Sequence, residues 1–289
     1  MTPDATELEN QPRDPASRPE IRVRKPSFRL ADVPRHWLFG NARASHLANA
    51  LNLLFPLGER FFIRSVRTFV DRPAVQSDPR LVDDVKRFMG QEVRHGMEHE
   101  RYFEVLEAHG YEIKSFIEWY ERVAFGPSGI ERRVSPELNL SVTVALEHFT
   151  AMFAERALTR DILKDKAHPA MRDLLLWHAC EELEHKAVAF DVLQKVNSSY
   201  LLRVGGLAAA ASAFVFFWLA GTHHLMKQEP GEKRTMNRAE FAEARKHNVL
   251  LNGEFLRAFG DYLRRDFHPN QNDNYHLARE WLSEHASAW

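Results

Sequence analysis

The chain has 289 residues, of which 39 are lysine or arginine and 40 are aspartate or glutamate, so its formal net charge is −1. This balance excludes a strongly basic surface for nucleic acid, and the single cysteine, Cys180, excludes an internal disulfide. The first twenty residues are polar and lack the apolar centre of a signal peptide, so we expect a cytoplasmic protein. Apolar residues recur at three- and four-residue steps, which indicates an all-α fold.

The N-terminal part of the chain differs in composition from the rest. Residues 1–35 contain six prolines among polar and charged residues, and we predict a flexible tail there. Residues 36–200 have the pattern of long amphipathic helices, the first of which should kink at Pro56 and Gly58. Four long helices are predicted, in chain order 41–70, 79–109, 135–163 and 169–196.

Proline and small polar residues mark where the last three of these helices begin. Asp78 and Pro79 are typical of an N-cap and a first helical turn, and Ser135 with Pro136 repeats that pattern. Pro169 begins the fourth helix in the same way. The helices form two successive αα-hairpins, so we predict a ferritin-like antiparallel four-helix bundle over residues 36–200.

The remaining region, 201–289, begins with an uncharged segment of 19 residues at 204–222. This length is at the lower limit for a membrane span, and four consecutive alanines make the segment only moderately hydrophobic. Two alternatives stay open: a helix buried in the bundle or in a homodimer interface, or a helix in contact with a membrane. The later residues are again helical in pattern, so 201–289 is predicted to pack on the bundle as an apolar helix and a C-terminal helical extension.

The sequence Glu-x-x-His occurs twice, at Glu92 with His95 and at Glu182 with His185. This spacing places both side chains on one face of a helix. Each pair follows a glutamate in the middle of the preceding long helix, with 32 residues between Glu59 and Glu92 and 34 between Glu147 and Glu182. Glu59 and Glu92 each lie roughly 20 Å from the hairpin loop that joins their helices. The acids within a hairpin are therefore predicted to face each other at one depth.

Four carboxylates and two imidazoles inside an apolar bundle need cations or shared protons, because burying bare charges is very unfavourable. One glutamate from each of two helices, with Glu-x-x-His from each of the other two, is the ligand set of ferritin-like di-iron and di-manganese proteins. We therefore predict two divalent metal ions, with iron favoured and manganese or zinc as alternatives. The predicted ligands are Glu59, Glu92, His95, Glu147, Glu182 and His185.

Two further histidines lie one helical turn from these ligands. His99 follows His95, and His178 precedes Glu182, so each is either an additional ligand or a partner that orients a ligand. Glu181 and Glu184 should turn to other faces of the fourth helix.

Four stretches of the sequence together resemble a bacterial family of predicted metal-dependent hydrolases. They are NALNLLFPLGERFF, QEVRHGMEHERYFEVL, ALEHFTAMFAE and CEELEHKAVAFDVL. The resemblance covers roughly residues 20 to 270 and implies a metal-dependent enzyme. The six ligand positions are also similar to those of the wider ferritin-like superfamily, which includes desaturases and ribonucleotide reductase small subunits. That similarity implies two irons and dioxygen chemistry.

These observations favour a di-iron oxidoreductase that activates dioxygen and acts on a small hydrophobic substrate, with electrons from a donor protein. A metal-dependent hydrolase is the first alternative, because two adjacent metal ions can also promote hydrolysis. A non-catalytic ferroxidase or iron-binding protein is the second. The uncharged segment 204–222 could present a hydrophobic substrate to the site.

Overall fold

The computed structural model describes residues 20–231 and 253–285. Within them the secondary structure is helical, apart from an isolated bridge between Leu38 and Ala167. The all-α prediction is therefore confirmed for this part of the chain. The α-helices are α1 (Ala42–Arg67), α2 (Pro73–Gln76), α3 (Pro79–Ala108), α4 (Lys114–Ala124), α5 (Pro136–Thr159), α6 (Ile162–Lys166), α7 (Pro169–His185), α8 (Val188–Val196), α9 (Tyr200–Met226), α10 (Gly253–Tyr262) and α11 (Tyr275–Glu284).

The predicted helix starts agree with the structure. The Asp78 side chain accepts a hydrogen bond from the Leu81 backbone N–H at the start of α3, and Ser135 accepts one from Leu138 at the start of α5. Each cap is followed by proline. Proline has no backbone N–H, and this costs nothing in the first turn because N–H groups there have no acceptor within the helix. Helix α7 also begins with proline, Pro169.

Two of the predicted long helices are shorter than expected. The third ends at Thr159 because Arg160 has extended backbone, with φ −107° and ψ 137°. The fourth is interrupted after His185, and the short turn at 186–187 separates α7 from α8. The Lys186 ammonium at this turn donates hydrogen bonds to the Asn272 backbone carbonyl and the Asn274 side chain, at 2.6 and 2.5 Å, which ties the interruption to the C-terminal region. Helix α1 continues through Pro56 without a break.

The N-terminal segment differs from the flexible tail that its composition predicts. Residues 1–19 lie outside the described residues, but Ile21, Phe28, Val33 and Trp37 are all buried. The segment forms no long helix, so its apolar residues have no helical periodicity in the sequence. They are buried instead because the extended chain lies along the helices.

Four helices enclose the centre of the molecule. Helix α1 packs against α3 and α5, and α7 packs against α3 and α5. Helix α9 lies outside this group against α1 and α5. The contact between α5 and α9 is very close, because a Cβ atom on Gly206 would lie 2.1 Å from Ser141 Oγ. Glycine is therefore required where these two backbones meet.

The apolar core is divided into two clusters. Along α1, Leu57 belongs to one cluster and Phe61 to the other. The same change occurs along α7 and α8, between Leu183 and Val188. Glu59 and His185 lie between these positions, so a polar layer separates the two apolar clusters.

Among the described helices, α9 is long and apolar enough to cross a membrane, and its most apolar window of 18 residues has a mean hydropathy of 1.8. Only 33% of that window is buried. One face packs on α1 and α5, while Leu201, Val215, Phe216 and Leu219 on the other are between 48% and 79% exposed. The first alternative was a buried helix. It holds for one face of α9 only.

Candidate metal centre

The six side chains predicted from the Glu-x-x-His pattern come together inside the four helices. Helix α1 contributes Glu59, α3 contributes Glu92 and His95, α5 contributes Glu147, and α7 contributes the last two. All six are at most 3% exposed, including Glu182 and His185. Glu59, Glu92 and His95 lie close together across the first hairpin, and Glu147 and Glu182 both approach the His185 ring.

The His185 ring lies at the centre of one group of carboxylates. Its Nε2 atom is 3.2 Å from Glu92 Oε1, 3.3 Å from Glu147 Oε2 and 3.4 Å from Glu182 Oε2. The Nδ1 atom of His95 lies 3.7 Å from Glu182 Oε1 and 3.8 Å from Glu92 Oε1. Glu92 and Glu182 thus lie close to both imidazoles.

Among the six predicted ligands, two sets of atoms are close enough to hold a cation, and Glu92 belongs to both, whereas Glu147 belongs to neither. Atoms of Glu59, Glu92 and His95 lie within 4.8 Å of one another, and so do atoms of Glu92, Glu182 and His185. A carboxylate has two oxygen atoms and can be shared by neighbouring cations. The arrangement therefore fits bound metal.

Buried acceptor atoms in this cluster have no hydrogen-bond donor. The group comprises both carboxylate oxygens of Glu59, Glu92 and Glu147, together with Glu182 Oε2, His95 Nδ1 and His185 Nε2. A buried polar atom without a partner is unfavourable by roughly 1–3 kcal/mol, and more if it is charged. Bound divalent cations would satisfy these atoms, so the residues fit a metal centre.

The two imidazoles of this centre have the tautomers that metal binding requires. His95 donates from Nε2 to Glu181 Oε2 at 3.1 Å, which leaves its Nδ1 lone pair directed at the carboxylates. His185 donates from Nδ1 to Gln91 Oε1 at 2.9 Å, which leaves Nε2 directed at the carboxylates of Glu92, Glu147 and Glu182. A hydrogen bond to the distal nitrogen fixes both the tautomer and the ring orientation of a metal-binding histidine.

An outer group of side chains holds these hydrogen-bond partners in place. Gln91 donates to Glu184 Oε2 at 2.8 Å, and Trp177 donates to Glu181 Oε1 at 3.2 Å. The Arg24 guanidinium bonds Glu184 at 2.7 and 2.8 Å and Glu181 at 3.0 Å. Burial opposes the charge on Arg24, but the hydrogen bonds and attraction to the two glutamates outweigh it and raise the pKa of the guanidinium.

Sequence reasoning did not find this outer group. Glu181 and Glu184 do turn away from the metal-binding face, as expected, but they are buried behind it rather than solvated. Arg24 lies 157 residues from Glu181 in the chain, in a segment with no periodic pattern. The one signal for this group was the number of carboxylates in CEELEH, residues 180–185. Two buried acids that bind no metal need a cation from elsewhere in the chain, which here is Arg24.

Burial and mutual repulsion perturb the carboxyl groups of the cluster. Burial, followed by repulsion from neighbouring glutamates, raises the pKa of Glu59 and of Glu92 well above the usual 4.5. Burial also raises the pKa of Glu147 to about 7 and that of Glu181 to about 8. Without metal, the folded protein therefore holds protons on acids that would be ionised in the unfolded chain.

The metal-free protein is expected to lose stability as the pH rises from about 6.5 to about 8. In this range the folded state binds more protons than the unfolded state through the carboxyl groups with raised pKa, so the free energy of unfolding falls with pH. Burial lowers the pKa of His95 and His99 well below 6.5, which has the opposite effect but only at lower pH. The melting temperature of chelator-treated protein across this range measures the slope.

Zinc-loaded protein provides the comparison for this pH series. Metal binding displaces protons from its ligands, so the stabilisation by zinc should grow as the pH rises. A metal-free melting temperature that stays constant or rises between these pH values would contradict the assignment of buried, protonated acids.

The cluster that contains Glu229 serves as a contrast with the metal centre. Oε1 of Glu229 lies 3.1 Å from His36 Nε2 and 2.9 Å from His46 Nε2. The Asn49 amide donates to His46 Nδ1, so His46 carries its proton on Nε2 and donates it to the carboxylate. These contacts of Glu229 Oε1 are hydrogen bonds, and they link the residues that follow α9 to α1 and to the segment before it.

Of two cavities beside α5, one reaches the six-residue cluster. The smaller, of about 160 Å³, has Glu59 in its wall among apolar side chains, including Phe62, Phe149 and Phe217. The larger, of about 670 Å³, lies between α5, α10 and residues 264–274; Lys186 lines it, and none of the six predicted ligands does. Burial lowers the pKa of this lysine to about 8.

Comparison with known proteins agrees with the metal-binding chemistry of the cluster. A family model described as "Predicted metal-dependent hydrolase" matches residues 22–273, a range that contains all six predicted ligands and Arg24. No curated protein and no solved structure matches the chain. The family match covers most of the sequence and bears out the resemblance of its four motif stretches. The chain therefore belongs to the family of predicted metal-dependent hydrolases.

Proposed function

We propose that this protein is a hydrolase that uses two divalent metal ions and acts on an apolar substrate. The observation that carries the proposal is the position of Glu59. Its carboxylate belongs to the buried cluster, and its side chain also lines the apolar cavity of about 160 Å³. A substrate in that cavity would touch the cluster. The family description favours hydrolysis over the oxidative chemistry that the ligand pattern first suggested.

The metal ions would be held by Glu59, Glu92, His95, Glu182 and His185, together with Glu147, whose Oε2 lies 3.3 Å from His185 Nε2. Bound divalent cations would polarise a carbonyl or phosphoryl group and lower the pKa of water. The protein contributes a dry surrounding, because the six side chains are buried between two apolar clusters. It also fixes the two imidazoles through Glu181 and Gln91.

The cavity walls support an apolar substrate. Ala209, Ala213, Phe214 and Phe217 of α9 line it, opposite Glu59 on α1. Ala209 is an exposed residue on α9, and the neighbouring face of that helix carries the exposed Phe216. An ester or amide with an alkyl or aromatic chain could pass from this apolar surface to the carboxylate cluster.

Substitutions at Gly58 test whether substrate occupies the cavity. Gly58 lies in the middle of α1 and in the cavity wall, and a Cβ atom there would meet nothing within 4 Å. Gly58→Ala should stabilise the protein by about 0.5–1 kcal/mol, because alanine is a better helix former. Gly58→Leu should fill the space and raise KM for long-chain p-nitrophenyl esters about tenfold, with less effect on acetate. Equal effects on short and long esters would place the substrate elsewhere.

A second candidate function is the oxidation of an apolar substrate by dioxygen. The favouring observation is the ligand set itself, since four carboxylates and two imidazoles from four helices match the ferritin-like di-iron pattern. Carboxylates suit iron that changes its charge during a reaction. This candidate also needs an electron donor protein.

Oxygen dependence separates the two functions. Zinc- or manganese-loaded protein should hydrolyse p-nitrophenyl esters under nitrogen if the main proposal is correct, and Glu92→Ala should abolish that activity. Ferrous protein that consumes oxygen and converts an added apolar substrate only with a reductant would support the second candidate. Consumption of oxygen without any organic product would indicate a ferroxidase. The hydrolase proposal fails if no metal supports anaerobic turnover.

A further inference from the structure

His178 lies against the carboxylates of the metal centre but is absent from the six-residue pattern. It is on α7, one turn before Glu182, and it is 5% exposed. Its Nε2 atom is 2.7 Å from Glu182 Oε1 and 3.9 Å from Glu59 Oε1. Its ring centroid lies 4.0 Å from that of His95. His178 is therefore close enough to share a cation with these residues.

A chain of hydrogen bonds that begins at Asn52 determines the tautomer of His178. The Asn52 side-chain N–H donates to the Ala48 backbone carbonyl at 3.0 Å, so the amide oxygen must face His99. That oxygen lies 2.7 Å from His99 Nδ1, which therefore carries the hydrogen. His99 Nε2 is then an acceptor, and it receives a hydrogen bond from His178 Nδ1 at 2.7 Å.

This sequence of donors leaves a lone pair on Nε2 of neutral His178. The lone pair faces the Glu182 carboxylate oxygen at 2.7 Å, so two acceptors are in contact. His46 has the same type of contact with Glu229, but there Asn49 places the hydrogen on Nε2 and the contact is a hydrogen bond. The contact at His178 is favourable when a cation binds both acceptors.

We propose that His178 is a third imidazole ligand of the metal centre, and that Asn52 and His99 are positioning residues that direct its Nε2 atom at the metal. The inference rests on the proposed dinuclear centre and extends its ligand set to four glutamates and three histidines. His95, His178 and Glu182 have ligand atoms within 4.8 Å of one another, as do Glu92, Glu182 and His185. One side of the centre therefore has two imidazoles and the other has one.

Nitrogen NMR of the intact protein tests this directly. The full chain is labelled with ¹⁵N-histidine, freed of metal with a chelator and then loaded with zinc. Long-range proton–nitrogen spectra distinguish protonated, free and metal-bound ring nitrogens, and His178→Gln identifies the His178 signals. In zinc-loaded protein, we expect His178 to carry hydrogen on Nδ1 and to have a metal-bound Nε2, while His99 carries hydrogen on Nδ1. A hydrogen on His178 Nε2 in the zinc-loaded protein would overturn the inference.

Zinc affinity gives a second measurement that does not depend on activity. His178→Ala should weaken zinc binding by at least about tenfold, and Asn52→Leu by about ten- to a hundredfold. Asn52→Asp keeps an acceptor for His99 Nδ1 and should restore most of the affinity lost in Asn52→Leu. His148→Ala is the control, because this largely buried ring bonds the Ala258 backbone carbonyl and lies outside the cluster.

The two proposals can fail separately. If wild-type protein binds no zinc, the dinuclear centre is wrong and His178 has no metal to bind. If wild-type protein binds two zinc ions and the His178 Nε2 signal is unchanged by zinc, the centre stands and only the third imidazole is wrong. If a variant does not fold, the wild-type spectra still decide the question.

Discussion

Glu92→Ala is expected to remove most of the bound metal. Glu92 belongs to both sets of ligand atoms, and one of its oxygens lies 3.2 Å from His185 Nε2. Its loss therefore affects both cation positions, whereas loss of Glu59 or His185 affects one directly. The metal content per chain, measured by mass spectrometry after loading and desalting, should fall from two ions to fewer than one.

The same substitution should leave the metal-free protein folded. Glu92 is 1% exposed, and burial and neighbouring carboxylates both disfavour its charged form. Removing it relieves that repulsion, which offsets part of the cavity that alanine leaves. Glu104→Ala is the matched control, since it removes an exposed glutamate from the same helix. Full metal occupancy in Glu92→Ala would refute the assignment of the centre.

Arg24→Ala is expected to destabilise the protein by about 3 kcal/mol, the range found when one partner of a buried ion pair is removed. The Arg24 side chain is 13% exposed, and those of Glu181 and Glu184 are 0% and 9% exposed. Without the guanidinium, the buried Glu184 carboxylate loses its cation and Glu181 loses a hydrogen-bond donor. Chemical denaturation of metal-free protein at neutral pH measures the change.

Controls for Arg24 distinguish the buried network from general loss of charge. Arg22→Ala removes a guanidinium two residues away whose partner Glu20 is exposed, and its effect should be small. Arg24→Ala with Glu184→Gln should recover part of the lost stability, because one of the unpaired acids is gone. Arg24→Ala should also weaken zinc binding, since His95 and His185 depend on Glu181 and Gln91 for their orientation. Unchanged stability and zinc affinity would show that Arg24 is dispensable.

Local signals in the sequence predicted the positions of the helices and the convergence of the six polar residues. Three helices begin at proline, at Pro79, Pro136 and Pro169. Each of these starts is determined by neighbouring residues, so it can be predicted without knowledge of the fold. The convergence of Glu59 with Glu92 follows from helix rise and loop position. The first prediction depends on neighbouring residues, and the second depends on contacts within a hairpin.

Features that depend on contacts distant in sequence were not predicted. The interruption after His185 places Lys186 against Asn272 and Asn274, residues about ninety positions away. Periodicity continues across 186–187 because buried residues lie on both sides of the turn. Burial of the N-terminal segment was missed for the same reason, since an extended chain has no helical repeat.

The division of the apolar core has a consequence for the assembly of the native protein. Each half can exclude water through its own leucine, valine and phenylalanine side chains, without help from the charged level between them. Most carboxylate oxygens of that level lack hydrogen-bond donors until cations bind. A newly synthesised chain should therefore become compact at both ends first, and capture of the ions should be the last ordering event. Amide hydrogen exchange in apoprotein should accordingly be fastest near the middle of the long helices, the reverse of ordinary fraying.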